Sequence, residues 1–187
     1  MIKLVLGRGK FVHRFITSKK TGTDDLMVAG TCLGLLSSLA HNNAAQRQIL
    51  SRGGLKVIIA SMLGKSPFRE DATIVAHACQ LLSLLTNHGE DETVQQTAEE
   101  NGAVEAVLRV LHEEDHLKTN VQVMSCGYEA LSSLAAYNIK NQKMIVGLNG
   151  IGMALLTLSD KKMATNPLVA KSILTFFHDM LERDSSK

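Results

Sequence analysis

Apolar residues along the chain fall into paired helical stripes that recur four times. In the first, Val28, Cys32, Leu35 and Leu39 follow one another at steps of four, three and four, with Ala29, Leu33, Leu36 and Ala40 beside them. That spacing predicts a helix, and two adjacent stripes predict one packed on two sides. The pattern returns as Ile74, Ala78, Leu81 and Leu85 beside Val75, Cys79, Leu82 and Thr86. It returns again as Val123, Gly127, Ala130 and Leu134 beside Met124, Tyr128, Leu131 and Ala135. The last instance is Val169, Ile173, Phe176 and Met180 beside Ala170, Leu174, Phe177 and Leu181, with Leu39, Leu85, Leu134 and Met180 in register.

Between these long helices lies a second recurring pattern, a glycine followed by an apolar run. It reads Gly54-Leu55-Lys56-Val57-Ile58-Ile59, Gly102-Ala103-Val104-Glu105-Ala106-Val107 and Gly150-Ile151-Gly152-Met153-Ala154-Leu155, with the first glycines 48 residues apart each time. Each glycine follows a short polar-apolar segment: Gln46-Arg47-Gln48-Ile49-Leu50, Val94-Gln95-Gln96-Thr97-Ala98 or Asn141-Gln142-Lys143-Met144-Ile145. The reading is a short helix closed by glycine in the left-handed conformation, then a middle helix, a polar loop and a long helix. Cys32, Cys79 and Cys126, 47 residues apart, point to the same internal repeat. A helical unit of this size repeated in tandem predicts an α-solenoid in which neighbouring units bury one another.

The grammar resembles the three-helix armadillo repeat, and Leu35-Leu36-Ser37-Ser38-Leu39-Ala40 and Ala130-Leu131-Ser132-Ser133-Leu134-Ala135 carry the clearest likeness. The resemblance implies one all-α, right-handed solenoid over residues 1–187, with about three complete repeats (43–88, 89–137 and 138–183) after a partial one at 1–42. Residues 9–16 fit a first middle helix. In such a stack one column of each long helix is left over and lines a concave groove. By register the groove holds Gly30, Gly34, Ser38 and His41, then Ala76, Gln80, Leu84 and Asn87. It continues with Ser125, Glu129 and Ser133, then Lys171, Thr175 and Asp179. Import and catenin members of the family carry Trp and Asn ladders where this chain has Gly34, Gln80 and Glu129, and Ser38, Leu84 and Ser133. With no Trp in the sequence, the cation-binding aromatic slots of those proteins are absent.

Composition agrees with helices: 45% of residues are hydrophobic, only 4% aromatic, and proline occurs twice. Twenty basic against 18 acidic residues leave a net charge of +2, so no nucleic-acid partner is expected. No apolar run approaches the roughly 20 residues of a membrane span, and the N-terminus lacks the core of a secretory signal. The expected setting is therefore intracellular, most simply cytoplasmic, with the three cysteines reduced and buried as small hydrophobes.

Apparent catalytic motifs fare poorly against this repeat. His112-Glu113-Glu114-Asp115-His116 spells a zinc-binding H-E-x-x-H, in which His112 and His116 would hold the metal and Glu113 would act as base. Its position is that of the polar loop filled elsewhere by Lys65-Ser66-Pro67 and Asp160-Lys161-Lys162, so a solvated loop is expected. Gly7-Arg8-Gly9-Lys10 lacks the spacing and the Ser or Thr of a phosphate-binding loop. Arg8, Lys10, His13, Arg14, Lys19 and Lys20 form a basic stretch read as a solvated end, with an acidic partner as the second reading. The expectation is a protein-binding scaffold that takes a polypeptide along the groove, with no catalysis, metal or cofactor. The alternatives are a structural piece of a larger solenoid and, least favoured, a zinc hydrolase through His112, Glu113 and His116.

Overall fold

The computed structural model describes residues 23–63, 67–87 and 92–181. Every regular element among them is helical. A long helix α1 (Thr23–Leu39) is followed by three units of like order. The first comprises α2 (Asn43–Ser51), α3 (Gly54–Leu63), a 3₁₀ turn (Pro67–Glu70) and the long α4 (Ala72–Thr86). The second comprises α5 (Glu92–Glu100), α6 (Ala103–His112), the one-turn α7 (Asp115–Lys118) and the long α8 (Val121–Ala135). The third comprises α9 (Ile139–Gly147), α10 (Gly150–Ser159), the one-turn α11 (Lys161–Ala164) and the long α12 (Pro167–Leu181).

The long helices α4, α8 and α12 each start on a side-chain cap that satisfies orphan amide donors of the first turn. Asp71 Oδ1 accepts from the amides of Thr73 and Ile74, and Asn120 Oδ1 from those of Gln122 and Val123. Asn166 Oδ1 does the same for Leu168 and Val169, with Pro167 in the first helical position where its missing N–H costs nothing.

The long helices pack in chain order, α1 on α4, α4 on α8, α8 on α12. Both predicted stripes are buried on α4 and α8. On the outer two helices only the inward stripe is buried. In α1 that is Leu33, Leu36 and Ala40, while Val28 and Leu35 of the other stripe stay 37% and 42% exposed. In α12 it is Val169, Ile173 and Phe176, while Leu174 and Leu181 stay 62% and 81% exposed. The first stripe of each helix therefore faces the preceding unit and the second the following one. Two-sided packing, expected for all four helices, holds for the middle pair.

Three further expectations are corrected. The left-handed residue is Gly102 (φ 70°) in the second unit, but Gly53 (φ 72°) in the first and Asn149 (φ 60°) in the third. Gly54 and Gly150, matched to Gly102 in the sequence, instead begin the middle helices, as Ala103 does. What they need is space. A Cβ on Gly54 would stand 2.5 Å from Ile49 Cγ2, and one on Gly150 would stand 2.7 Å from Ile145 Cγ2. The second unit tolerates the Cβ of Ala103 because the facing short-helix residue is the smaller Ala98, also buried. Large meets none, or small meets small.

The loops before the long helices are not simply solvated. Each carries one buried apolar residue, Phe68, Leu117 or Met163, which plugs its unit from the turn. Arg69 pairs with Glu114 at 2.9 Å, and His116 Nε2 lies 2.8 Å from the carbonyl of Glu70, tying one loop to the next. Lys162 donates to the carbonyl of Thr119 at 3.4 Å in the same sense. The cysteines do not mark the repeat, since each falls at a different offset from Leu39, Leu85 or Leu134. Cys79 is buried and Cys32 and Cys126 are half-buried.

A glutamine in each short helix performs the same task. Gln46 Nε2 donates to the carbonyls of Ala40, at the end of α1, and Leu84, on α4. Gln95 Nε2 donates to Thr86 at the end of α4 and Ser133 on α8, at 3.1 and 3.2 Å. Gln142 Nε2 donates to Ala135 at the end of α8 and Asp179 on α12, at 3.0 and 3.1 Å. Every clamp thus joins the end of one long helix to the next long helix.

Two measurements test this account. Gln95→Leu, which strands two carbonyls, should cost about 1–3 kcal/mol in urea denaturation, whereas Gln96→Ala on the exposed side should cost less than about 0.5 kcal/mol. Similar midpoints for the two variants would refute the clamp. For the corners, Gly54→Ala should cost about 1–3 kcal/mol by overpacking and Ile49→Ala about 2–5 kcal/mol through a cavity. The double variant recreates the small-small corner of the second unit, so its loss should fall short of the sum by about 0.5–3 kcal/mol. Strict additivity would sink the compensation.

Candidate binding surface

The sequence places the groove on the long helices, and the structure divides its residues into two groups. Gly30, Ala76, Ser125 and Ser133 are buried between helices and are not available to a partner. Ser133 Oγ is 2.8 Å from Ser83 Oγ, joining α8 to α4, and Ser125 Oγ is 2.9 Å from Ser172 Oγ, joining α8 to α12. Small hydroxyls that let helices approach closely also let them share protons, so these columns belong to the seam. Ser38, His41, Asn87, Glu129, Lys171 and Thr175 are exposed, and Gly34, Gln80, Leu84 and Asp179 are half-buried.

Register sharpens this second group. Counted back from Leu39, Leu85, Leu134 and Met180, the residues level with one another are Gly34, Gln80, Glu129 and Thr175. Lys171 stands one turn earlier on α12, level with the buried Gly30, Ala76 and Ser125. Glu129 Oε1 accepts from Ser172 Oγ at 3.2 Å, which steadies it at the α8/α12 boundary. Ser132 donates to Asp179 Oδ2 across the same boundary, so Asp179 is partly committed to packing. At the α1/α4 boundary a cleft of about 500 Å³ opens beside Gly30, Gly34, Thr73 and His77. A Cβ on Gly34 would stand 3.2 Å from His77 Nε2, so the glycine makes room for the imidazole. The basic stretch from Arg8 to Lys20 and His88 lie outside the described residues.

The H-E-x-x-H segment takes a different form from a metal-binding helix. His112 ends α6, the chain breaks, and His116 belongs to α7, so the two imidazoles do not share a helical face. His116 turns to the carbonyl of Glu70, while His112 Nε2 lies 3.3 Å from the buried Tyr128 Oη. Tyr128 Oη is also 3.0 Å from Thr157 Oγ1, which donates its own proton to the Met153 carbonyl at 3.1 Å. The chain of donors then runs from His112 Nε2–H to Tyr128, from Tyr128 to Thr157, and on to the backbone. Burial pushes the Tyr128 phenol up to about 12, and burial followed by the nearby Lys118 charge pushes His112 down to about 4. The imidazole is therefore a neutral structural donor. It lines a cleft of about 470 Å³ with Leu111, Met124, Met153, Leu156 and Met163. Among the described residues, no group of three or more His, Cys, Asp or Glu is placed to hold a metal ion.

Sequence reasoning missed the glutamine clamps and the seam serines. Its available signal was a Gln recurring in each short helix and a Ser at matching places in the long ones.

No protein-family model matches the chain. It is similar to a solved structure described as an engineered protein, with a TM-score of 0.68 and 19% sequence identity over 96% of this chain. The match spans 65% of that protein's length. At that identity the likeness establishes the all-helical fold. No helix of the described residues is long and apolar enough to cross a membrane.

The neutral state of His112 sets a pH dependence. Its folded pKa lies below the ordinary value near 6.5, so the unfolded chain takes up the proton first. Stability is full above about 6.5 and falls as pH drops toward about 4. Discounted for partial exposure, the loss attributable to His112 should be about 1–2 kcal/mol. Denaturant midpoints of wild type and His112→Gln between those pH values should converge on acidification, and parallel curves would contradict the assignment.

Proposed function

We propose that the chain is an armadillo-like α-solenoid serving as an intracellular protein-binding scaffold, with an extended polypeptide lying along the surface formed by α1, α4, α8 and α12. The observation that carries this reading is the level row Gly34, Gln80, Glu129 and Thr175, one residue from each successive long helix, none of them fully buried. Packed helices stand roughly 8–10 Å apart, which suits alternate side chains of an extended segment reaching successive units. Gly34 leaves a slot at one end, Gln80 supplies an amide donor and acceptor, Glu129 a carboxylate and Thr175 a hydroxyl. Lys171 adds a cation one turn away. The favoured ligand is a segment of mixed or low charge, since one acidic and one basic residue offer no single-signed field. Without aromatic slots, a basic import signal has no matching site.

Peptides selected on the chain from a random display library supply the test. Replacing Gln80, Glu129 and Thr175 by Ala should leave thermal unfolding within about 0.5 kcal/mol per site and weaken the selected peptide at least tenfold, about 1.4 kcal/mol. Moderate rather than steep salt dependence is expected. Equal affinity for wild type and variant would move the recognised surface elsewhere.

A further inference from the structure

The first and last long helices of the described residues expose complementary parts of an interface that the interior of the molecule already uses three times. Between α1 and α4, between α4 and α8, and between α8 and α12, the second stripe of one helix meets the first stripe of the next. On α12 the second stripe, Ala170, Leu174, Phe177 and Leu181, has no following helix among the described residues. On α1 the first stripe, Val28, Cys32, Leu35 and Leu39, has no preceding long helix among them.

The middle helices repeat the pattern. Leu108 on α6 is only 4% exposed, and a Cβ on Gly150, the first residue of the next middle helix, would approach its Cδ2 to 3.3 Å. Leu155 holds the matching place on α10 and is 53% exposed. The side of the molecule formed by α10 and α12 is thus an apolar face built to receive a helix carrying a first stripe. The exposed stripe of α1 has that pattern.

We propose that a second copy of this chain docks head to tail, setting α1 of one molecule on α12 of the other and continuing the internal interface across molecules. This contact is heterologous, so each bound copy offers a fresh α12 face and assembly grows stepwise unless an end is blocked. It is independent of the groove, because the stripes point toward neighbouring helices and the groove row does not.

Mass measurement by light scattering over a concentration series decides the matter. Wild type should rise from monomer mass through dimer to larger species. Leu174→Glu combined with Leu181→Glu blocks the tail, and Leu35→Glu blocks the head; each variant alone should remain monomeric. Mixed in equal amounts, they should form a dimer and nothing larger, since only one productive pairing remains. Circular dichroism verifies that the variants are folded, and Leu155→Glu, on a different helix of the same face, provides a second tail block. A monomeric wild type at its highest soluble concentration would overturn the proposal. So would self-association of Leu35→Glu alone, which would indicate tail-to-tail pairing, or a mixture that stays monomeric.

Discussion

The carbonyls at the C-terminal end of each long helix are the constraint on which the arrangement turns. The last carbonyls of a helix have no amide partner within it, and burying them unpaired is costly. Here a short helix follows each of α1, α4 and α8, and a glutamine from that short helix returns to a carbonyl at the end of the long one. The same amide donates to a carbonyl of the next long helix. Gln95 is used completely, since its own oxygen accepts from Asn141 Nδ2 and Asn138 Nδ2 of the following short helix, both at 3.4 Å. A capping requirement within one unit thereby fixes the height of the next. Apolar stripes can slide against one another at small cost; two directed hydrogen bonds per clamp cannot.

That fixed height explains which groove residues remain available. With adjacent long helices locked in register, hydroxyls at the boundary meet in pairs, Ser83 with Ser133 and Ser125 with Ser172. These contacts draw the helices together and remove part of the predicted groove from solvent. What is left is a narrower row, one residue per helix, flanked by polar atoms already engaged. A ligand seated there would meet side chains whose neighbours are held in place, the preorganisation that lowers the entropy lost on binding.

The stripes, the long helices and their order were legible in the sequence because burial on two sides imposes a helical period that no other element mimics. Boundaries of exposure were not. Val28 and Leu35 read like Ile74 and Leu81, yet among the described residues only the latter have a preceding helix to cover them. The glycine corners were half legible. Matching glycine to glycine aligned Gly54, Gly102 and Gly150, whereas the backbone requires a left-handed residue one place before the middle helix, supplied by Gly53, Gly102 and Asn149. Asparagine tolerates that conformation, so residue identity alone concealed the equivalence. Phe68, Leu117 and Met163 escaped notice because a single apolar residue in a polar loop has no period to betray it. The clamp glutamines escaped for the opposite reason, since polar residues on a short helix ordinarily face water.

A stack of this kind distributes its stability unevenly. When each unit contacts only its neighbours, an interior unit gains two interfaces and a terminal unit one. α4 and α8 bury both stripes, and α8 adds the Tyr128 hydrogen-bond chain and the tilted packing of Tyr128 on Phe176, centroids 5.8 Å apart. Among the described residues α1 and α12 have one such interface each, and fraying should begin there, where local opening exposes the least additional apolar surface. The proposed groove row runs across all four helices, so its two ends lie on the least supported elements while Gln80 and Glu129 lie on the best supported. A ligand spanning the row would gain its firmest contacts at the centre and would stabilise the outer helices on binding, because only the folded ends complete its site.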